Sequence, residues 1–343
     1  MSADTLSIDH EKLAHYLQDN IAGFQGPLTT EKFSGGQSNP TFLIKAQSGQ
    51  YVLRRKPPGK LLPSAHAIDR EYRVINALAG SDVPVPTAYH FCEDDSIVGS
   101  MFYVMSFEQG RIFWDPALPE LPKEQRGAMH DELIRVMAAI HEIDVESCGL
   151  SDYGKAGNYF ERQLSRWVSQ YRTAETKPLP AVESLIEWLQ ANIPADDGQV
   201  SLIHGDFRLD NLIFDPTDAK GIAMLDWELS TLGHPTSDLA YFCMCLRLPS
   251  AGNVSGLAGK DRDELGVPSE KTIIELYCQL RGIDNVDNWI FCVAFSFFRL
   301  SAILQGVLKR ALNGNASNDQ ALKVGKMAEP LAQMALVMIK DEG

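Results

Sequence analysis

The chain lacks the cysteine pairings that thiol chemistry needs. Its six cysteines, Cys92, Cys148, Cys243, Cys245, Cys278 and Cys292, include no C-x-x-C pair. Neither a metal thiolate site nor a disulfide framework is supported, and buried reduced thiols are the simpler expectation. Positive charge is also short: 31 Lys and Arg against 45 Asp and Glu give a formal net charge of −14. That argues against general nucleic-acid binding, which needs a cationic face, but leaves room for a local basic pocket. The opening MSADTLSIDH has neither the basic nor the apolar stretch of a secretory signal. No run reaches the roughly 18 apolar residues of a membrane span, and the most apolar stretch, 289–304, is interrupted by Ser296, Arg299 and Ser301. A cytoplasmic chain without a membrane segment is the expectation. No internal repeat or low-complexity tract occurs, and no G-x-x-x-x-G-K-[ST] loop, which argues against a P-loop enzyme.

What is present suits a two-lobed globular chain. There are 343 residues, 45% hydrophobic and 22% charged, enough for sizeable cores. Residues 9–20 read as a helix with Asp9 as N-cap and Ile8 and Leu13 as a hydrophobic staple. An apolar run after the glycine-rich turn at 34–39, the turn at 48–50 and YVLRR give a hairpin pattern. A helix over 66–79 follows, broken by VPVP at 83–86, then strands at 89–92 and 101–107. Helical periodicity governs 123–143, 158–173 and 181–193, short apolar strands fill 200–232, and helices return beyond 236. The fold class is therefore α+β, with a β-rich lobe over 1–105 and a helical lobe over 106–343.

The strongest local signal is the run His204-Gly205-Asp206-Phe207-Arg208-Leu209-Asp210-Asn211, followed by Leu225-Asp226-Trp227-Glu228. Asp206, Asn211 and Asp226 lie on loops at the ends of short apolar segments, where a scaffold holds reactive groups. Asp and Asn oxygens are hard ligands that suit Mg²⁺, which takes one or two protein ligands beside phosphates and water. A further carboxylate is needed to deprotonate a hydroxyl. Singly, each of these residues is as well read as a turn former. Together, D-x4-N followed by a strand-flanked Asp is the set that kinase-type phosphoryl transfer requires.

These motifs resemble the catalytic and metal-binding loops of the aminoglycoside phosphotransferase and choline kinase family. The resemblance implies a bilobal protein-kinase-like fold that holds ATP and Mg²⁺ between its lobes. It implies Asp206 as the base, Asn211 and Asp226 as the magnesium ligands, and His204 as a loop organiser. Gly35, Gly36, Gln37 and Ser38 fall where the family's phosphate-covering loop lies, although a plain hairpin turn fits them as well. Arg54 falls at the strand position of the kinase lysine that grips phosphate. Lys56 shares its face, so the choice between the two stays open. Glu71 lies in the apolar stripe Ile68, Ile75, Leu78; buried there it needs a partner, and Arg54 is the natural one, whereas at the edge of the stripe it would reach solvent. The Ser106 carbonyl and the Glu108 N–H fall at the hinge that holds adenine in the family. Asp238, in GHPTSDLA, would cap a helix and brace the catalytic loop.

The wider run resembles the subgroup related to kinase domains fused to acyl-CoA dehydrogenases. That implies a small hydroxylated acceptor such as a hydroxyacyl-CoA; an aminoglycoside or another amino-alcohol or sugar is the alternative. A nucleotide-binding module without catalysis is the reading from another class. Arg299, in an apolar helix, reads as a structural salt bridge or as a grip on a substrate anion. Phe113 and Trp114 read as core or as an acceptor wall.

Overall fold

A computed structural model describes residues 8–33, 39–57, 67–250, 255–313 and 321–343. In chain order come α1 His10–Asn20, β1 Leu28–Lys32, β2 Thr41–Ala46, β3 Gly49–Arg55, α2 Ile68–Ala77, β4 Ala88–Cys92, α3 Asp95–Val98 and β5 Phe102–Ser106. Next are α4 Lys123–His141, α5 Tyr159–Ala174 and α6 Pro180–Ala191, then the short strands β6 Ser201–Ile203, β7 Leu212–Phe214, β8 Gly221–Met224 and β9 Thr231–Gly233. The remainder is helical: α7 Thr236–Leu246, α8 Arg262–Leu265, α9 Glu270–Arg281, α10 Trp289–Leu312, α11 Ala321–Gly325 and α12 Ala328–Glu342. The chain divides into two compact units. One spans Met1–Arg111, Cys148–Leu150 and Asn211–Ser230; the other spans Ile112–Ser147, Ser151–Asp210 and Thr231–Gly343.

The first unit is built on an antiparallel five-stranded sheet in the order β1-β2-β3-β5-β4. Asp9 caps α1, its carboxylate accepting from the Lys12 N–H at 3.0 Å, which satisfies one of the orphan donors of the first turn. Leu13, Ala14 and Leu17 of α1 then join Phe42, Ile44, Leu53, Phe102 and Val104 in one core. The β7–β8 hairpin belongs to this unit. Phe214 exchanges backbone hydrogen bonds with Arg111, and the Met224 N–H donates to the Pro84 carbonyl at 2.8 Å. A Cβ at Gly110 would sit 2.2 Å from the Phe214 carbonyl oxygen, so no side chain fits there.

In the second unit α10 is the central helix. Phe291, Val293, Phe295, Phe297 and Phe298 pack with α5, α6, α7 and α12 in one apolar cluster. By length and composition α10 is long and apolar enough to cross a membrane, even with Ser296, Arg299 and Ser301 within it. Of its most apolar window, 72% is buried inside the protein, as in the core helix of a globular unit. The short ladder of β6 with β9 aligns Leu202 with Leu232.

Candidate active site

In the first unit the site is organised by Arg54. Its place on β3, opposite Tyr103 of β5, puts its guanidinium against α2 and the turn after β8. Nε lies 3.0 Å from Glu71 Oε2, Nη2 lies 2.8 Å from Asp226 Oδ1, and Glu228 Oε2 is 4.0 Å away. Burial alone would weaken the arginine's charge, but Glu71, Tyr103, Asp226 and Glu228 outweigh it and hold the group above its ordinary range. Glu71 is almost completely buried. Burial raises its carboxyl to about 7 against the opposing pull of Arg54. The Tyr103 phenol, buried beside it, is pushed well up by burial first and by Glu71 next. Of the two candidate cations, Arg54 is the one joined to Glu71; Lys56 follows the end of β3, where its backbone N–H donates to the Met101 carbonyl at 3.0 Å. Arg55, on the other face, donates to the Val98 carbonyl and lies over the Phe42 ring.

Asp226 follows β8 in the left-handed backbone region, with φ 64° and ψ 55°. Few residue types other than glycine, Asn and Asp adopt it readily. The Leu225 N–H donates to the Asn211 carbonyl at 2.8 Å, so the backbones carrying Asn211 and Asp226 are neighbours at the open end of the hairpin. Two hard oxygen donors at adjacent positions suit Mg²⁺. Among the described residues no cluster of three or more His, Cys, Asp or Glu offers a closed metal cage. At the end of β5 the Ser106 hydroxyl accepts from the Thr87 N–H at 2.8 Å and donates to the Glu108 carboxylate. Gly35, Gly36, Gln37 and Ser38 lie outside the described residues.

The second unit carries the loop before Asp206. Asp238 accepts from the His204 N–H at 2.6 Å through Oδ2 and from the Gly205 N–H at 2.9 Å through Oδ1. His141 Nε2 is 3.4 Å from the same Oδ2, and its Nδ1 is 2.7 Å from the Tyr277 hydroxyl. Burial pushes the Asp238 carboxyl up, but His141, His204 and the Gly205 N–H outweigh it and leave it low. Asp238 does not cap α7, whose N-cap is Pro235. It sits inside the first turn, and its side chain serves the loop. The Asp206 N–H donates to His204 Nδ1 at 3.2 Å, so His204 organises the loop from within.

Arg208 Nε stands 3.7 Å from Asp206 Oδ1, and Nη2 donates to Asp210 at 2.8 Å. Burial works against the Arg208 charge, and Asp206, Tyr241 and Asp210 outweigh it. A cavity of about 190 Å³ opens beside this loop, lined by Trp114, Arg208, Asp210, Phe242 and Cys245 among others. Phe113 is core, whereas Trp114 is 69% exposed on that cavity. The division of the chain falls inside the D-x4-N motif: Asp206 belongs to the second unit, Asn211 and Asp226 to the first. Beyond the residues expected from sequence, Glu228 and Tyr103 lie beside Arg54 and Arg208 beside Asp206. Glu228 and Arg208 stand inside the two motifs, so their proximity was the available signal.

Residues 29–265 match the model of the phosphotransferase enzyme family. Acyl-CoA dehydrogenase family member 10 of Mus musculus is 46% identical over 341 residues, covering 99% of this chain and 32% of that protein. The chain thus spans about a third of that relative's length. The crystal structure of a protein from Ralstonia eutropha JMP134, provisionally assigned as an aminoglycoside phosphotransferase, is 47% identical with a TM-score of 0.89, covering 97% of this chain and 99% of that one. Spectinomycin phosphotransferase in complex with ADP and spectinomycin is 15% identical with a TM-score of 0.63, covering 97% and 99%. At that identity the likeness concerns the fold, which is the α+β protein-kinase-like one.

Proposed function

Because the chain belongs to the phosphotransferase enzyme family, we propose that it is a small-molecule kinase that moves the γ-phosphoryl group of ATP onto a substrate hydroxyl, with Asp206 as the base. The observation that carries this reading is Arg54, which one guanidinium joins to both Glu71 and Asp226. A strand cation tied to a helix glutamate and to the carboxylate after β8 is an arrangement suited to gripping nucleotide phosphates.

Asp206 would orient the acceptor hydroxyl and take its proton as the phosphoryl group leaves ATP. Asn211 and Asp226 would hold Mg²⁺, which when bound neutralises phosphate charge. Arg54 would bind the phosphates, with Glu71 fixing its direction. Gly35, Gly36, Gln37 and Ser38 would cover them, and the Ser106 carbonyl and Glu108 N–H would hold the adenine. Catalysis is then chiefly positioning and charge stabilisation. The cavity beside Arg208 and Trp114 supports an acceptor site with one apolar wall.

For the acceptor we favour a hydroxyacyl-CoA, because the mouse relative bears the name of an acyl-CoA dehydrogenase. An amino-sugar acceptor is the second reading, supported by the spectinomycin-bound neighbour. The test is acceptor-dependent ADP release with Mg²⁺ and ATP across hydroxyacyl-CoAs, aminoglycosides and choline, beside Asp206→Ala. Turnover with one class that the variant loses supports the kinase and names its substrate. ATP binding without turnover on any acceptor moves the weight to a binding module.

A further inference from the structure

Helix α10 buries an arginine for which the apolar helix has no evident use. Arg299 is 8% exposed, and among the described residues no carboxylate lies at ion-pair distance from it. A charge taken out of water without a counter-ion is costly, and an apolar residue would fill the same space more cheaply. The salt bridge expected from sequence is therefore absent among the described residues, and the side chain's contacts lie elsewhere. Its guanidinium is held between two aromatic faces, 5.3 Å from the Tyr241 centroid and 5.5 Å from that of Trp167. Stacking of this kind offsets part of the desolvation. Nη2 donates to the carbonyl of Gly205.

Gly205 immediately precedes Asp206 and has φ +81°, a conformation that glycine adopts at little cost. Its N–H is already taken by Asp238 of α7. The residue before Asp206 thus donates its N–H to a carboxylate and accepts at its C=O from a guanidinium, from two different helices. The Asp206 N–H is fixed in turn by His204. Three consecutive residues of the loop, His204, Gly205 and Asp206, have backbone groups held by side chains, and Arg299 holds one of them.

We propose that Arg299 is a positioning residue for Asp206, holding the Gly205 carbonyl so that the base keeps its direction. The inference rests on the kinase reading for the role of Asp206, but not for the grip itself. A misplacement of about 1 Å at a reacting group costs roughly a hundredfold in rate, so a device that locks this one peptide is worth a buried charge.

The test combines hydrogen exchange with steady-state kinetics on the full chain. In Arg299→Met, amide exchange across 201–214 should rise at least about tenfold while exchange in β3 and β5 stays as in the wild type. With an accepted substrate, kcat should fall by roughly a hundredfold with KM for ATP unchanged. Arg299→Lys keeps the charge and a donor but loses the flat fork between two rings; it should give an intermediate effect on both readouts. If Arg299→Met does not fold, Arg299→Lys carries the test. Unaltered exchange over 201–214 in a folded variant overturns the proposal and leaves the kinase reading standing. Faster exchange with unchanged kcat overturns it too. A wild type silent on every acceptor would sink the kinase reading instead, while the exchange still decides whether Arg299 holds the loop.

Discussion

Arg54 and Asp226, 172 positions apart in sequence, meet at 2.8 Å in the first unit. The same guanidinium holds Glu71, so one side chain ties β3 to α2 and to the turn after β8. Glu71 has almost no water to fall back on. Arg54→Ala should therefore destabilise the protein by about 3–5 kcal/mol, the usual consequence of stranding one member of a buried pair. Replacing both, as in Arg54→Met with Glu71→Leu, should recover most of that loss, because a packed apolar pair needs no counter-charge. Urea unfolding of the single and double variants checks this. A single variant as stable as the wild type would show that the pair carries no structural weight.

Asp238 offers a separate measurement. Its two oxygens satisfy two buried loop N–H groups, and His141 touches one of them. Asp238→Ala strands both donors and should cost on the order of 3 kcal/mol. Asp238→Asn keeps the shape but aims an NH₂ at one N–H, and should recover only part of the loss. Thermal unfolding checks stability. Faster exchange of the His204 and Gly205 amides should accompany it, and unchanged exchange there would contradict the bracing role.

Much of this was legible because the signals are local. The Asp-x4-Asn spacing, the Asp9 cap and the single carboxylate in the α2 stripe each need only a few neighbouring residues to be read. The edge strand β1 carries a weak signal, because its five residues barely alternate, with only Leu28 buried. Edge strands need no second apolar face. Likewise nothing in the sequence tells that Asn211 packs with the sheet unit while Asp206, five residues earlier, packs with the helices. That follows from the β7–β8 hairpin bonding to Arg111 and Pro84, pairings made over long distances in the chain. The contacts of Arg299 were hidden for the same reason, since Gly205 lies 94 positions away.

His130 gives the clearest pH dependence. It lies fully buried on α4, and its Nε2–H donates to the Pro116 carbonyl at 2.9 Å, which fixes the neutral tautomer. Burial pushes its pKa down to about 4 from 6.5, against the pull of that carbonyl. The unfolded chain therefore binds the proton first as the pH falls, and the folded state resists it. The sign follows: the stability linked to His130 is complete above about pH 6.5 and is lost as the pH drops towards 4. A gap of this size corresponds to about 3 kcal/mol between those limits. His130→Gln keeps an N–H donor for Pro116 and has nothing to protonate. Between pH 7 and pH 4.5 the wild type should lose about 2 kcal/mol more unfolding free energy than His130→Gln. Parallel stability profiles for the two proteins would mean that His130 takes up its proton without opening the fold.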